Sequence, residues 1–153
     1  MSTRSVTHAT FVIERDYEAS PARVFAAWAE QSAKAQWFGP PGAGSEYELD
    51  FRVGGSEHLT VEVEGTRYSY DALYEDILAD ERILYTYNMH RDGERMSVSV
   101  STVELLAAGA GTHLRYTEQA AFLDGIDTPE AREHGTRELL ARLGETLAQR
   151  AGA

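Results

Sequence analysis

Apolar and polar residues alternate through most of this chain, and the breaks in the alternation mark its turns. Near the start, Phe11 and Ile13 alternate with Val12 and Glu14, the two-residue period of a strand. Ser20-Pro21 then supplies a helix N-cap and a first helical residue. Val24, Phe25 and Trp28 share one face of the helix that follows. A second short helix is predicted over about residues 31–37. It stops at Trp37-Phe38-Gly39-Pro40-Pro41-Gly42, because neither proline nor glycine lets a helix continue.

The texture then changes to period two. Tyr47, Leu49, Phe51 and Val53 point one way, and Glu46, Glu48, Asp50 and Arg52 the other, up to a Gly54-Gly55 turn. Leu59, Val61 and Val63 oppose His58, Thr60, Glu62 and Glu64. Residues 66–78 form a further strand whose ambiguous parity points to a bulge. Ile83, Tyr85, Tyr87 and Met89 share a face, and Asp92-Gly93 is a hairpin signal. Met96, Val98 and Val100 alternate with Ser97, Ser99 and Ser101. Leu114, Tyr116, Glu118 and Phe122 share the face of the last strand.

Thr128-Pro129 opens a terminal helix on which Leu139, Leu140, Leu143 and Leu147 form a stripe. Continued toward the N-terminus, the stripe passes through Thr136 and Arg132, while His134 faces away. Hairpin-linked strands with segregated helices mean an α+β fold. The expected order is a strand, two short helices, about six consecutive antiparallel strands and a long helix. A curved sheet of about six to seven strands wrapped around that helix buries the apolar face of each. No linker or repeat divides the chain, so residues 1–153 are expected to form one domain.

Composition narrows the function. The formal net charge is −11, from 25 acidic against 14 Lys and Arg residues, and no basic cluster appears. Nucleic acid and anionic membranes are therefore not expected partners. No apolar run reaches a membrane-spanning length, no signal sequence is evident and there is no cysteine. A cytoplasmic location is expected. The five histidines show no metal spacing, and neither Gly-rich segment fits a nucleotide loop, so no metal or cofactor is expected. No nucleophile elbow is present.

What remains is a polar set on the faces that should be buried: Tyr85, Tyr87, Tyr116 and Glu118 on strands, Arg132 and Thr136 on the helix. Glu118 and Arg132 can satisfy each other across the gap between sheet and helix, either as a structural ion pair or as anchors of a pocket. Leucines plug the C-terminal half of the helix. A cavity is therefore expected under residues 129–136, near the loop at 37–44, with Trp37 and Phe38 as its rim or lid.

The segments ASPARVFAAW, WFGP, DFRVGG and GTHLRYTE, in this order before a terminal helix, resemble the SRPBCC (START-like, helix-grip) superfamily. The similarity spans about residues 8–148 and is nearest to bacterial proteins named after the activator of the ninety-kilodalton heat-shock protein ATPase. The resemblance implies a curved sheet gripping the last helix, with a hydrophobic cavity between them. Many relatives carry a His, then Gly and Trp, early in that helix. Aligned on Gly135, this chain has Arg132 and Thr136 instead, which implies a roomier or more polar pocket. The eukaryotic co-chaperone has an additional N-terminal domain for which 153 residues leave no room.

Three functions follow. One is a carrier or sensor of a small hydrophobic ligand, lipid-like or aromatic. Its expected contacts are Trp37, Phe38, Tyr70, Tyr87, Met89, Met96, Tyr116, Phe122 and Leu140, with Glu118, Arg132 and Thr136 as polar groups. The second is an interaction protein with a chaperone or other protein partner. The third is an enzyme of the polyketide cyclase or aromatase kind with Glu118 as acid or base; its pairing with Arg132 argues against that role. A monomer or homodimer is compatible with all three.

Overall fold

The computed structural model describes residues 4–39 and 45–151. Residues 40–44, most of the loop expected beside the cavity, lie outside the described residues. Strand β1 (Val6–Tyr17) leads into helices α1 (Pro21–Ala29) and α2 (Gln31–Lys34). Strands β2 (Ser45–Leu49), β3 (Ser56–Val63), β4 (Thr66–Leu78), β5 (Arg82–Arg91), β6 (Glu94–Ala108) and β7 (Gly111–Leu123) follow, then helix α3 (Pro129–Ala151). The strands form one antiparallel sheet in the order β1-β7-β6-β5-β4-β3-β2. This is the α+β helix-grip architecture. No helix among the described residues is long and apolar enough to cross a membrane.

β1 and β2 are opposite edges of the sheet, so the segment between them must carry the chain across it. α1 and α2 lie in that segment, and α1 packs against α3, β6 and β7. Both helical starts follow the sequence signals. Ser20 Oγ accepts from Arg23 N at 3.3 Å, and Thr128 Oγ1 accepts from Ala131 N at 3.1 Å. α2 is shorter than its composition predicts: after Lys34 the backbone tightens, with Trp37 N and Phe38 N both donating to Lys34 O.

Asp92 and Gly93 both adopt left-handed backbone, at φ 48° and 83°, the geometry that matches a two-residue hairpin to strand twist. The apolar stripe of α3 lies on the sheet as expected, with Leu140, Leu143 and Leu147 buried against Ile13, Ile83, Val103 and Leu114. Each buried aliphatic side chain contributes about 2 kcal/mol. Tyr17 fastens edge strand to helix. Its hydroxyl donates to Leu140 O at 2.8 Å, and its ring lies so close to Gly144 that a Cβ there would sit 3.1 Å from Cε1.

Three details depart from the alternation pattern. β2 ends at Leu49; Val53 lies in the following turn and is 57% exposed. That turn is sewn to β4 by Gly54 N to Tyr74 O and Tyr74 N to Gly55 O. Val63, at the hairpin end of β3, is also exposed. On β6 the inner residues are Ser97, Ser99 and Ser101, all buried, whereas Val98 and Val100 face outward. The cause is a bulge: Met89 pairs with Ser97 and His90 with Arg95, so Met96 is the extra residue. Met96 and Ser97 are consequently both buried, and parity is inverted beyond them. The ambiguity in β4 is likewise a register shift, between Tyr74 and Asp76.

Candidate functional site

A cavity of about 630 Å³ lies between the N-terminal half of α3 and the sheet. Ten of the twelve residues expected at a ligand site line it: Trp37, Phe38, Tyr70, Tyr87, Met89, Met96, Tyr116, Arg132, Thr136 and Leu140. Eight of them come together from α3 and the β4–β7 strands, and Trp37 and Phe38 from the segment after α2. Trp28, Leu59, Val61 and Tyr85 complete the apolar wall. The exposed lining residues Arg91, Ala131 and Glu138 mark the opening to solvent. A Cβ built on Gly135 would meet nothing within 4 Å, so the space beside this turn of α3 is open.

Trp37 is not a rim residue. It is 1% exposed, its Nε1 donates to Ala27 O at 3.0 Å, and its ring packs edge-on against Trp28. Phe38, only partly buried, is the aromatic nearer the surface. Arg142 of α3 holds this segment from above, donating from Nε to Trp37 O (3.3 Å) and from Nη2 to Gly39 O (2.9 Å). Arg142 lies off the leucine stripe, and nothing in the alternation pattern singles it out.

Glu118 and Phe122 do not line the cavity. Glu118 is fully buried beneath it and accepts from Tyr116 OH (2.6 Å), Tyr87 OH (2.7 Å) and Ser99 Oγ (2.8 Å). Ser101 Oγ lies 2.9 Å from Tyr116 OH, extending the network. Arg132 reaches Glu118 only at 3.5 Å; its shorter bond from Nη1 is to Tyr87 OH, at 3.0 Å. Its Nη2 donates to Ser97 Oγ at 2.9 Å and Asp127 Oδ2 at 3.0 Å. Phe122 packs under the guanidinium, 5.2 Å from its carbon.

The expected ion pair therefore exists as a network relayed through Tyr87. The inverted parity of β6 explains itself here, since the three serines face polar partners that valines would leave unsatisfied. Burial, reinforced by Glu118, holds the Tyr87 phenol well above its usual range. Burial opposes the charge of Arg132, but Tyr87, Glu118 and Asp127 outweigh it and strengthen the hold on its proton. Thr136 Oγ1 donates to Arg132 O at 2.9 Å, so its hydroxyl proton is engaged within α3.

A second buried pair has no counterpart in the expectations. Lys34 and Glu57 are 0% and 1% exposed, with Nζ 2.7 Å from Oε2. The Tyr74 and Tyr47 hydroxyls also donate to Glu57. Aromatic rings surround the ammonium: Phe38 at 4.5 Å, Trp28 at 5.2 Å, Tyr85 at 5.9 Å and Trp37 at 6.0 Å. Burial pulls the Lys34 pKa below its ordinary value, while Glu57 pushes it back up. This cage fixes the aromatic end of the cavity wall. The signal for Glu57 was its parity with Leu59 and Val61; for Lys34, a single charged residue on a short helix, there was none.

Two polar atoms of wall residues, Trp28 Nε1 and Tyr70 OH, are buried without a hydrogen-bond partner among the described residues.

The family model described as Activator of Hsp90 ATPase homolog 1-like protein matches residues 18–150. The chain belongs to this family. Solved structures of similar proteins agree. A protein of Rhizobium leguminosarum is 44% identical over 95% of this chain and 98% of its own, with a TM-score of 0.91. One from Rhizobium loti is 45% identical over 93% and 99%, with a TM-score of 0.87. One from Chromobacterium violaceum is 25% identical over 90% and 96%, with a TM-score of 0.79. No curated protein matches the chain. Family membership accounts for the helix-grip frame; the Arg132 network and the Lys34 cage are features of these residues.

Proposed function

We propose that this family member binds a small, mostly apolar ligand, lipid-like or aromatic, between α3 and the sheet, and acts as a cytoplasmic carrier or sensor. The observation that carries this reading is the cavity: about 630 Å³ walled by aromatic and aliphatic side chains. Small-molecule sites occupy roughly 300–1,000 Å³. A domain that needed only stability would fill such a space, because each void forfeits packing. Trp28 Nε1 and Tyr70 OH, without a partner among the described residues, add two groups in wall residues that a ligand acceptor can satisfy. Catalysis by Glu118 is not favoured, since Tyr87, Tyr116 and Ser99 occupy the carboxylate and no part of it lines the cavity.

Native mass spectrometry of the protein purified from its own cytoplasm tests the proposal. The expected result is a retained adduct, with thermal stabilisation by apolar compounds in a screen. A peak at the mass of the chain alone, with no compound raising the melting temperature, overturns it. The family description supports a second reading, a protein that engages a chaperone ATPase. Outward-facing Leu73, Val98 and Val100 supply uncharged surface for it. Unchanged ATPase turnover of the ninety-kilodalton chaperone on adding this protein would exclude that activity.

A further inference from the structure

The cations available to a ligand are not at Arg132. Glu118 and Asp127 bracket its guanidinium, two carboxylates against one positive charge. The cavity has two other arginines, Arg91 at the end of β5 and Arg142 on α3. Among the described residues neither forms an ion pair. Residues 40–44, which follow Gly39 in the sequence, are Pro-Pro-Gly-Ala-Gly and contain no carboxylate side chain.

Arg142 spends Nε and Nη2 on neutral carbonyls, which satisfy donors without cancelling charge; Nη1 takes part in neither bond. Of the acids that line the cavity, Asp127 is paired with Arg132, and exposed Glu138 lies 2.9 Å from His134 Nε2, a contact that is an ion pair only when the imidazole is protonated. In a chain with 25 acidic and 14 basic residues, two guanidinium groups on an apolar cavity with no ion pair among the described residues run against the background charge, although Glu94 stands opposite Arg91 in the β5–β6 register and Glu138 lies one turn before Arg142 on α3.

Resting on the ligand-cavity reading above, we propose that the occupant is an amphipathic monoanion, an acyl or aromatic carboxylate. Its apolar part lies against Phe38, Tyr70 and Met89, and its carboxylate is held by Arg142, with Arg91 adding attraction at the opening. Charge-assisted bonds from a guanidinium are about twice as strong as neutral ones. They gain most where water is partly excluded, as at half-buried Arg142, and least at exposed Arg91.

Decanoate and decanol share a tail and differ in the head group, so the pair isolates the anchor. Trp28 and Trp37, the two tryptophans of the chain, both line the cavity and report its occupancy by intrinsic fluorescence. With the full chain at neutral pH, decanoate is expected to bind about tenfold more tightly than decanol. The ratio is expected to fall toward unity in Arg142→Gln and partway in Arg91→Gln. Because the ratio is taken within each variant, any loosening of the segment that Arg142 holds affects both probes alike. Equal affinities in the unaltered protein overturn the anionic ligand and leave the cavity reading standing. A preference that survives both substitutions overturns the assignment to these arginines. If neither probe moves the fluorescence or the melting temperature, the cavity reading falls and this inference with it.

Discussion

Lys34 Nζ lies 2.7 Å from Glu57 Oε2, with both side chains sealed beneath the aromatic wall of the cavity. Breaking such a pair strands one buried charge. Lys34→Met or Glu57→Leu alone is therefore expected to cost about 3–5 kcal/mol, and the double substitution less than the sum of the two. Urea denaturation of the four proteins measures the coupling; strict additivity would mean that the two groups act independently.

The inverted parity of β6 makes neighbouring residues unequal. Ser99→Val removes a donor from Glu118 and is expected to cost about 2 kcal/mol or more. Val100→Ser, on the outer face, is expected to stay within about 0.5 kcal/mol of the unaltered protein. If the two changes prove equally harmful, the bulge at Met96 is misplaced.

Six buried tyrosines, Tyr17, Tyr70, Tyr74, Tyr85, Tyr87 and Tyr116, have phenols raised above their usual range, chiefly by burial. A raised folded pKa contributes stability that is complete below the unfolded value and lost as pH rises past it. The unfolded chain ionises near pH 10, so above it each tyrosine withdraws about 1.4 kcal/mol per pH unit. Lys34, whose folded pKa is lowered, acts in the opposite sense, with stability rising as pH approaches its unfolded value. Six tyrosines outweigh one lysine. An alkaline titration followed by circular dichroism and phenolate absorbance is expected to show unfolding and ionisation of these groups in one step, not separate ionisations in a folded protein.

Tyr70 OH has no partner to lose among the described residues. Tyr70→Phe is therefore expected to leave stability unchanged or raise it by up to about 1 kcal/mol. A loss above that range in thermal denaturation would reveal a partner for the hydroxyl.

Space beside Gly135 and Thr136 can be filled from the helix. Gly135→Ala is expected to stabilise by up to about 1 kcal/mol through helix propensity, since its Cβ meets nothing. Thr136→Trp places an indole in the cavity. The variant is expected to keep its circular dichroism spectrum and lose ligand-induced stabilisation; undiminished stabilisation would place the ligand elsewhere.

Period-two alternation, capped helix starts and the Asp92-Gly93 turn determined the α+β frame, because each depends on neighbours a few residues apart. The leucine stripe running through Thr136 to Arg132 also determined which half of α3 would face open space. Six of the lining residues, Tyr87, Met89, Tyr116, Arg132, Thr136 and Leu140, followed from those two periodicities. Tertiary structure alone decided the rest. The bulge at Met96 depends on pairing with β5, so it turned three serines inward against the local pattern. Glu118 and Phe122 share the correct face, but Tyr87, Tyr116 and Arg132 cover them, and depth beneath a surface has no period along the chain. Lys34 meets Glu57 across 23 residues and Arg142 meets Gly39 across 103, contacts that exist only once α2, the sheet and α3 have converged.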